Sequence, residues 1–135
     1  NMTEEKLPPI EPQEAVNKAA ACLRSLTHRA IDSDGYSVYR GIGGATCSIG
    51  AILPDDLYHE VFDVKGGIAA TELKYASPEL TEYFSLCSNQ LLEDLQVLHD
   101  AEYLWEYCDE RSFWNGERTL KTICEKHNLD YPEHP

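Results

Sequence analysis

A mainly α domain with a small β element, an α+β chain, is predicted by three observations. Apolar residues recur at helical spacing in three stretches: Val16, Ala19, Ala20, Leu23, Leu26 and Ala30; Leu91, Leu92, Leu95 and Leu98; and Leu120, Ile123 and Cys124. Helix-start chemistry stands where such stretches begin, in Pro12, in Ser77-Pro78-Glu79 and in Ser88. Strand-like alternation is confined to Tyr36, Val38 and Arg40 against Ser37 and Tyr39, followed by Gly41, Gly43 and Gly44.

Taken in order, residues 1–11 are polar and proline-bearing and read as a flexible arm, with residues 12–135 one globular domain. The first apolar stripe predicts a helix from Gln13 to Arg29, and Asp34-Gly35 marks a turn. A β-hairpin or short strands are expected within residues 36–53, where Cys47 to Leu53 forms either a helical turn or a second strand. Asp55 and Asp56 place acids where a helix dipole favours them, so a helix start is expected there. Val61 to Ile68 is ambiguous. A short helix follows Ser77 and runs to about Ser85. From Ser88 the apolar stripe continues through Ala101, Leu104, Trp105 and Cys108, as one long helix to Arg111 or as two joined near Asp100. The last helix spans Glu117 to Lys126, with Leu129 and Tyr131 folding back on the core.

The 135 residues suffice for one core, and 42% hydrophobic with 26% charged residues is the balance of a soluble globular protein. No apolar run reaches the ~20 residues of a membrane span, and no secretory signal is expected at the start. Met2 reads as the natural start, preceded by an added Asn1. The five cysteines are odd in number, widely spaced and mostly set in apolar patterns, so free thiols in a reducing cytoplasm are expected, with no bound metal and no cofactor.

Net charge is −13, and between Tyr75 and Glu110 nine acids face no Lys or Arg. Such a surface repels a phosphate backbone, which speaks against direct nucleic-acid binding and suits a basic protein surface. Solubility alone is the competing explanation.

Four constellations carry candidate chemistry. Arg40 with the Gly41 to Gly50 loop, which includes Gly43 and Gly44, could build an anion site from a guanidinium and inward-turned backbone N–H groups. The competing reading pairs Arg40 with Asp55 or Asp56 inside a structural bend. Cys47 is a candidate nucleophile with His59 or His99 as base, against a buried thiol among Ile49, Ala51 and Ile52. His99-Asp100 matches part of a metal-phosphohydrolase ligand set, against a histidine bonded to backbone at a helix end. Glu102, Glu106 and Glu110 fall at i, i+4 and i+8 of a helix, and Asp109 extends the acidic face. They are expected to be exposed while Leu104, Trp105 and Cys108 face the core.

Two patterns together resemble a known family. They are Tyr39-Arg40-Gly41 followed by Cys47-Ser48-Ile49-Gly50-Ala51-Ile52-Leu53-Pro54-Asp55, and Leu95-Gln96-Val97-Leu98-His99-Asp100 followed by Trp114 and Asn128-Leu129. They are similar to small proteins of tailed phages and prophages, over most of residues 15–131. The resemblance implies a viral or prophage origin and action in a bacterial cytoplasm, without an implied activity. Members often carry a Cys two residues before the Tyr-Arg pair; Ser37 stands there in this chain.

These readings converge on a small acidic accessory protein that binds, and plausibly inhibits, a host or phage protein with a basic surface, rather than on an enzyme. Its partner residues would be Glu102, Glu106, Asp109 and Glu110. An enzyme or ligand sensor would instead use Arg40, Gly43, Gly44, Cys47 and His59. A structural protein without ligand is the third reading.

Overall fold

The computed structural model of the protein describes residues 7–41, 45–66 and 68–133. Helix α1 spans Pro12–Ser25, with its proline in the first turn, where no amide donor is needed. It stops short of the expected Arg29. Leu26 turns extended, and the next residues give their backbone groups to other elements. The Ser112 N–H donates to the Thr27 carbonyl at 2.8 Å, the Arg29 N–H to Ser112 Oγ at 2.8 Å and the Ala30 N–H to His99 Nε2 at 3.0 Å.

Among the described residues that follow, two isolated antiparallel bridges pair Ile31 with Ser37 and Arg40 with Thr46. Helix α2 follows at Ser48–Ile52, so the helical alternative holds for this stretch. Asp55–Leu57 and Glu60–Gly66 are 3-10 turns rather than the start of an α-helix. Helix α3 is Ala70–Leu73 and α4 is Pro78–Tyr83. Ser77 Oγ accepts the Leu80 N–H at 3.1 Å, the side-chain cap that the serine predicts. Helix α5, Asn89–Asp100, begins at Ser88, whose Oγ accepts the Leu91 N–H at 3.0 Å.

The apolar stripe beyond α5 is not helical. Ala101 is extended, Glu102–Leu104 is a 3-10 turn, and Trp105–Cys108 (β1) pairs antiparallel with Arg111–Trp114 (β2). The two-stranded hairpin therefore lies at 105–114 and not within 36–53. Both indoles explain why the chain turns here. Trp105 Nε1 donates to the His99 carbonyl at 2.7 Å and Trp114 Nε1 to the Leu98 carbonyl at 2.9 Å. These carbonyls end α5 without helical partners, so the hairpin caps the helix from outside. Helix α6 spans Glu117–Lys126, as its apolar spacing predicts.

Helix α5 occupies the centre and touches α1, α2, α3 and α6. It buries Leu91, Leu92, Leu95, Leu98 and His99. The small residues Ala15, Ala19 and Ala20 on the buried face of α1 let α2 pack closely. The reading of residues 1–11 as a loose arm fails for its last part. Ile10 is buried, its N–H donates to the Tyr83 carbonyl at 2.9 Å, and Cys87 Sγ reaches the Ile10 carbonyl. The C-terminal residues also dock. Arg24 binds Glu117 through two parallel bonds of 2.8 Å and donates to the Pro132 carbonyl at 2.6 Å. Leu129 and Tyr131 pack on the core. Asp94 of α5 accepts from Lys126 at 3.0 Å and from His127 at 2.8 Å, which ties α5 to the end of α6.

Among the described residues no helix is long and apolar enough to cross a membrane.

Candidate functional site

The Tyr-Arg-Gly stretch forms an anion-binding arrangement that the chain fills itself. The consecutive N–H groups of Tyr39 and Arg40 donate to the Asp63 carboxylate at 2.7 and 3.2 Å, and the Tyr58 hydroxyl donates to it at 2.7 Å. Burial and the Asp63 charge push the Tyr58 phenol up to about 12, so it stays a donor. The Arg40 guanidinium lies over the Tyr58 ring, 4.3 Å from its centroid, pairs with Asp55 at 2.8 Å and donates to the Leu53 carbonyl at 3.2 Å. Asp55 is one of the two acids the bend reading expects. Asp63 carries no local sequence signal, since it is brought back across the bend by the 3-10 turn of Glu60–Gly66.

Cys47 is spent on structure. It stands at the N-cap of α2, where its Sγ accepts the Gly50 N–H at 3.2 Å. Burial pushes its thiol well above the usual range, which keeps it protonated. Gly50 has an equally local reason: a Cβ there would lie 2.0 Å from the Tyr39 carbonyl oxygen. The Cys-x-x-Gly spacing thus caps a five-residue helix and lets it touch the backbone at Tyr39. His59 is exposed, and its Nδ1 accepts the Val61 N–H at 3.1 Å. The open depression of about 680 Å³ lined by Arg40, Asp55, Lys18 and Cys22 includes neither Cys47 nor His59. Gly43 and Gly44 lie outside the described residues.

His99 is fully buried. The Ala30 amide can only donate, so Nε2 is the acceptor and Nδ1 carries the proton, 2.9 Å from Asp100 Oδ1. Trp105 packs edge-on against the ring at 5.6 Å. Arg29 Nη2 donates to the Asp100 carbonyl at 2.5 Å and to Ser37 Oγ at 3.2 Å. Both ring nitrogens are thereby engaged with the chain, as the helix-end reading requires. Among the described residues no group of three His, Cys, Asp or Glu side chains is placed to hold a metal ion.

Glu102, Glu106, Asp109 and Glu110 are all exposed, and Leu104 and Trp105 are buried. The helical face expected of these acids is absent, and Cys108 is exposed rather than in the core. The cause is the strand period. In β1 successive side chains alternate faces, so Glu106 sits opposite Phe113, and Cys108 opposite Arg111, on the outer face. Asp109 makes the turn with φ 56°, a conformation that Asp tolerates better than most residues. Glu106, Asp109 and Glu110 therefore stand on a hairpin, with Glu102 on the 3-10 turn before it, near the aromatics Tyr103, Tyr107 and Phe113, which are 77%, 57% and 39% exposed. The rings are what sequence reasoning missed here. The signal was present in the aromatic-rich stretches 103–107 and 113–114.

Comparison with protein-family models, with curated proteins and with solved structures gives no match to this chain.

Proposed function

We propose that the protein acts by binding, as a small acidic accessory protein of phage type that docks on, and inhibits, a basic-surfaced protein in a bacterial cytoplasm. The phage and cytoplasmic parts of this reading rest on the motif resemblance. The observation that carries the binding part is the hairpin, which exposes Glu106 with Phe113 on its outer face, Tyr107 on the opposite face, and Asp109 and Glu110 at the turn between the strands. Aromatic anchors within a charged rim are the usual composition of an interface. The test is binding kinetics against the partner recovered on the tagged protein, at several salt concentrations. Glu102→Gln, Glu106→Gln and Glu110→Gln combined should lower the on-rate about tenfold at low salt and leave the melting temperature unchanged, because exposed charge governs encounter. An unchanged on-rate would make the acidity a solubility feature and return the function to residues 36–58.

One observation favours a second reading, a sensor for a small anion: Arg40 Nε is buried and makes no hydrogen bond among the described residues. The structural role predicts that Arg40→Ala lowers stability by about 2 kcal/mol, since charge-assisted bonds to Asp55 and Leu53 are lost. Urea denaturation measures this directly. A variant as stable as the wild type that has lost affinity for inorganic phosphate would move the function to Arg40.

A further inference from the structure

The hairpin has two long edges, and they differ. Cys108 and Arg111 close its two-residue turn, so pairs along the ladder alternate between hydrogen-bonded and non-bonded, counted from this bonded pair. Tyr107 with Ser112 is then a non-bonded pair, and the backbone groups of each residue point away from the other strand. The Ser112 N–H agrees with this count: it leaves β1 and donates to the Thr27 carbonyl at 2.8 Å. That bond, with the Arg29 N–H on Ser112 Oγ at 2.8 Å, covers the outer edge of β2. On the other edge the Tyr107 N–H and C=O point outward, and among the described residues neither meets a partner there. Tyr107 is exposed, as are Glu106 and Cys108 on either side of it. Strand β1 contains no proline, lysine or bulge, the usual guards of a free edge.

From this geometry we infer that β1 takes an extended segment of a partner protein as a third strand, paired through the Tyr107 N–H and C=O. This rests on the binding reading above and gives its mode of contact. The side chains along the edge decide the occupant. Glu106 has Phe113 opposite it and no ion pair among the described residues. The Arg111 guanidinium stands one strand further back, 4.9 Å from the centroid of the Phe113 ring. Two copies of this chain paired edge to edge would set Glu106 and Asp109 of each against the acids of the other, which is unfavourable. A partner strand with Lys or Arg beside Glu106, and a β-branched residue beside Tyr107 on the opposite face, avoids that repulsion and pairs well on both faces.

Hydrogen exchange reads the edge directly. In the free chain the Tyr107 amide should exchange about a hundredfold faster than those of Glu106 and Ser112, which are bonded. Saturation with a fluorescein-labelled peptide of alternating lysine and valine should slow the Tyr107 amide to their level. A lysine–glycine peptide of equal length and charge should not. Tyr107→Pro deletes the outward N–H and leaves the ladder bonds, so it should weaken binding about tenfold by anisotropy, while Tyr107→Val keeps the N–H and should stay within about twofold of the wild type. Glu106→Gln should weaken binding about threefold at low salt. A Tyr107 amide already as slow as that of Ser112 in the free chain, or one that the peptide leaves fast, would overturn the inference, and this measurement decides even where Tyr107→Pro does not fold. Equal binding of the two peptides would overturn it as well, by reducing the contact to charge alone. Against the recovered partner, loss of binding in the combined Glu102, Glu106 and Glu110 glutamine variant, with Tyr107→Pro behaving as the wild type, keeps the acidic docking reading and sinks the third strand. Indifference to both variants sinks both. A dimer in sedimentation that Tyr107→Pro dissolves would give the edge to a second copy and overturn the inference.

Discussion

Gly50→Ala is expected to destabilise the protein by about 3 kcal/mol, lowering the melting temperature by roughly 10 °C. In an exposed helix interior the same change is favourable by about 1 kcal/mol. Here the added Cβ would sit 2.0 Å from the Tyr39 carbonyl oxygen and 2.9 Å from its carbon. Neither can retreat cheaply. The Tyr39 carbonyl accepts the Cys47 N–H at 3.2 Å, and the Tyr39 N–H is held by Asp63 at 2.7 Å. Separating α2 from the Tyr39 backbone would also disturb the Cys47 cap. Gly41→Ala is the internal comparison, because its nearest contacts, to Ala30 and Ile31, are 3.2 Å and need only a small shift. Thermal melts of the two variants should rank them clearly. Equal stability of Gly50→Ala and the wild type would mean that α2 does not pack on Tyr39.

His99→Ala should cost about 4 kcal/mol, measured by urea denaturation. It removes a fully buried ring, leaves the Ala30 amide without its acceptor, and deprives Asp100 of its donor. Cavity formation and an unsatisfied buried donor each contribute about 2 kcal/mol. Two further variants separate the contributions. His99→Phe restores volume but cannot accept from Ala30, so it should recover less than half of the loss. His99→Gln offers an oxygen near the position of Nε2 and should recover more. If Phe rescues better than Gln, packing against Trp105 and not the bond to Ala30 dominates the site. A stable His99→Ala variant would remove His99 as the link between α5, the hairpin and the 27–31 segment.

The elements that were legible share one property: their determinants are local. Pro12 and Ser77-Pro78 set first turns, Ser88 caps α5 and the apolar spacing of residues 120–124 places α6. Each is settled within four or five residues of chain. The hairpin was misread because Ala101, Leu104, Trp105 and Cys108 match a helical period by spacing alone. Their segment is also rich in aromatic strand formers, and periodicity over eight residues does not arbitrate between the two. The deciding interactions are long-range or at the end of α5, in the indole bonds to Leu98 and His99 and the Ser112 bond to Thr27.

The same division runs through the candidate site. By itself the sequence determined a mainly α domain, an acidic surface and a Tyr-Arg-Gly bend, because helix periods, net charge and glycine placement need no distant partner. It also offered Asp55 and Asp56, at the start of the next turn, as examples of a carboxylate partner for Arg40, and Asp55 is the one that pairs with it. Only the tertiary structure decided that Asp63 fills the backbone site at Tyr39 and Arg40, that His99 is engaged at both ring nitrogens, and that the acids stand on a hairpin beside exposed rings. Asp63 meets residues 23 and 24 positions before it, His99 meets Ala30 69 positions away, and the hairpin is held to Arg29 by Ser112 83 positions away; such meetings are set by how whole elements pack, which no local pattern encodes.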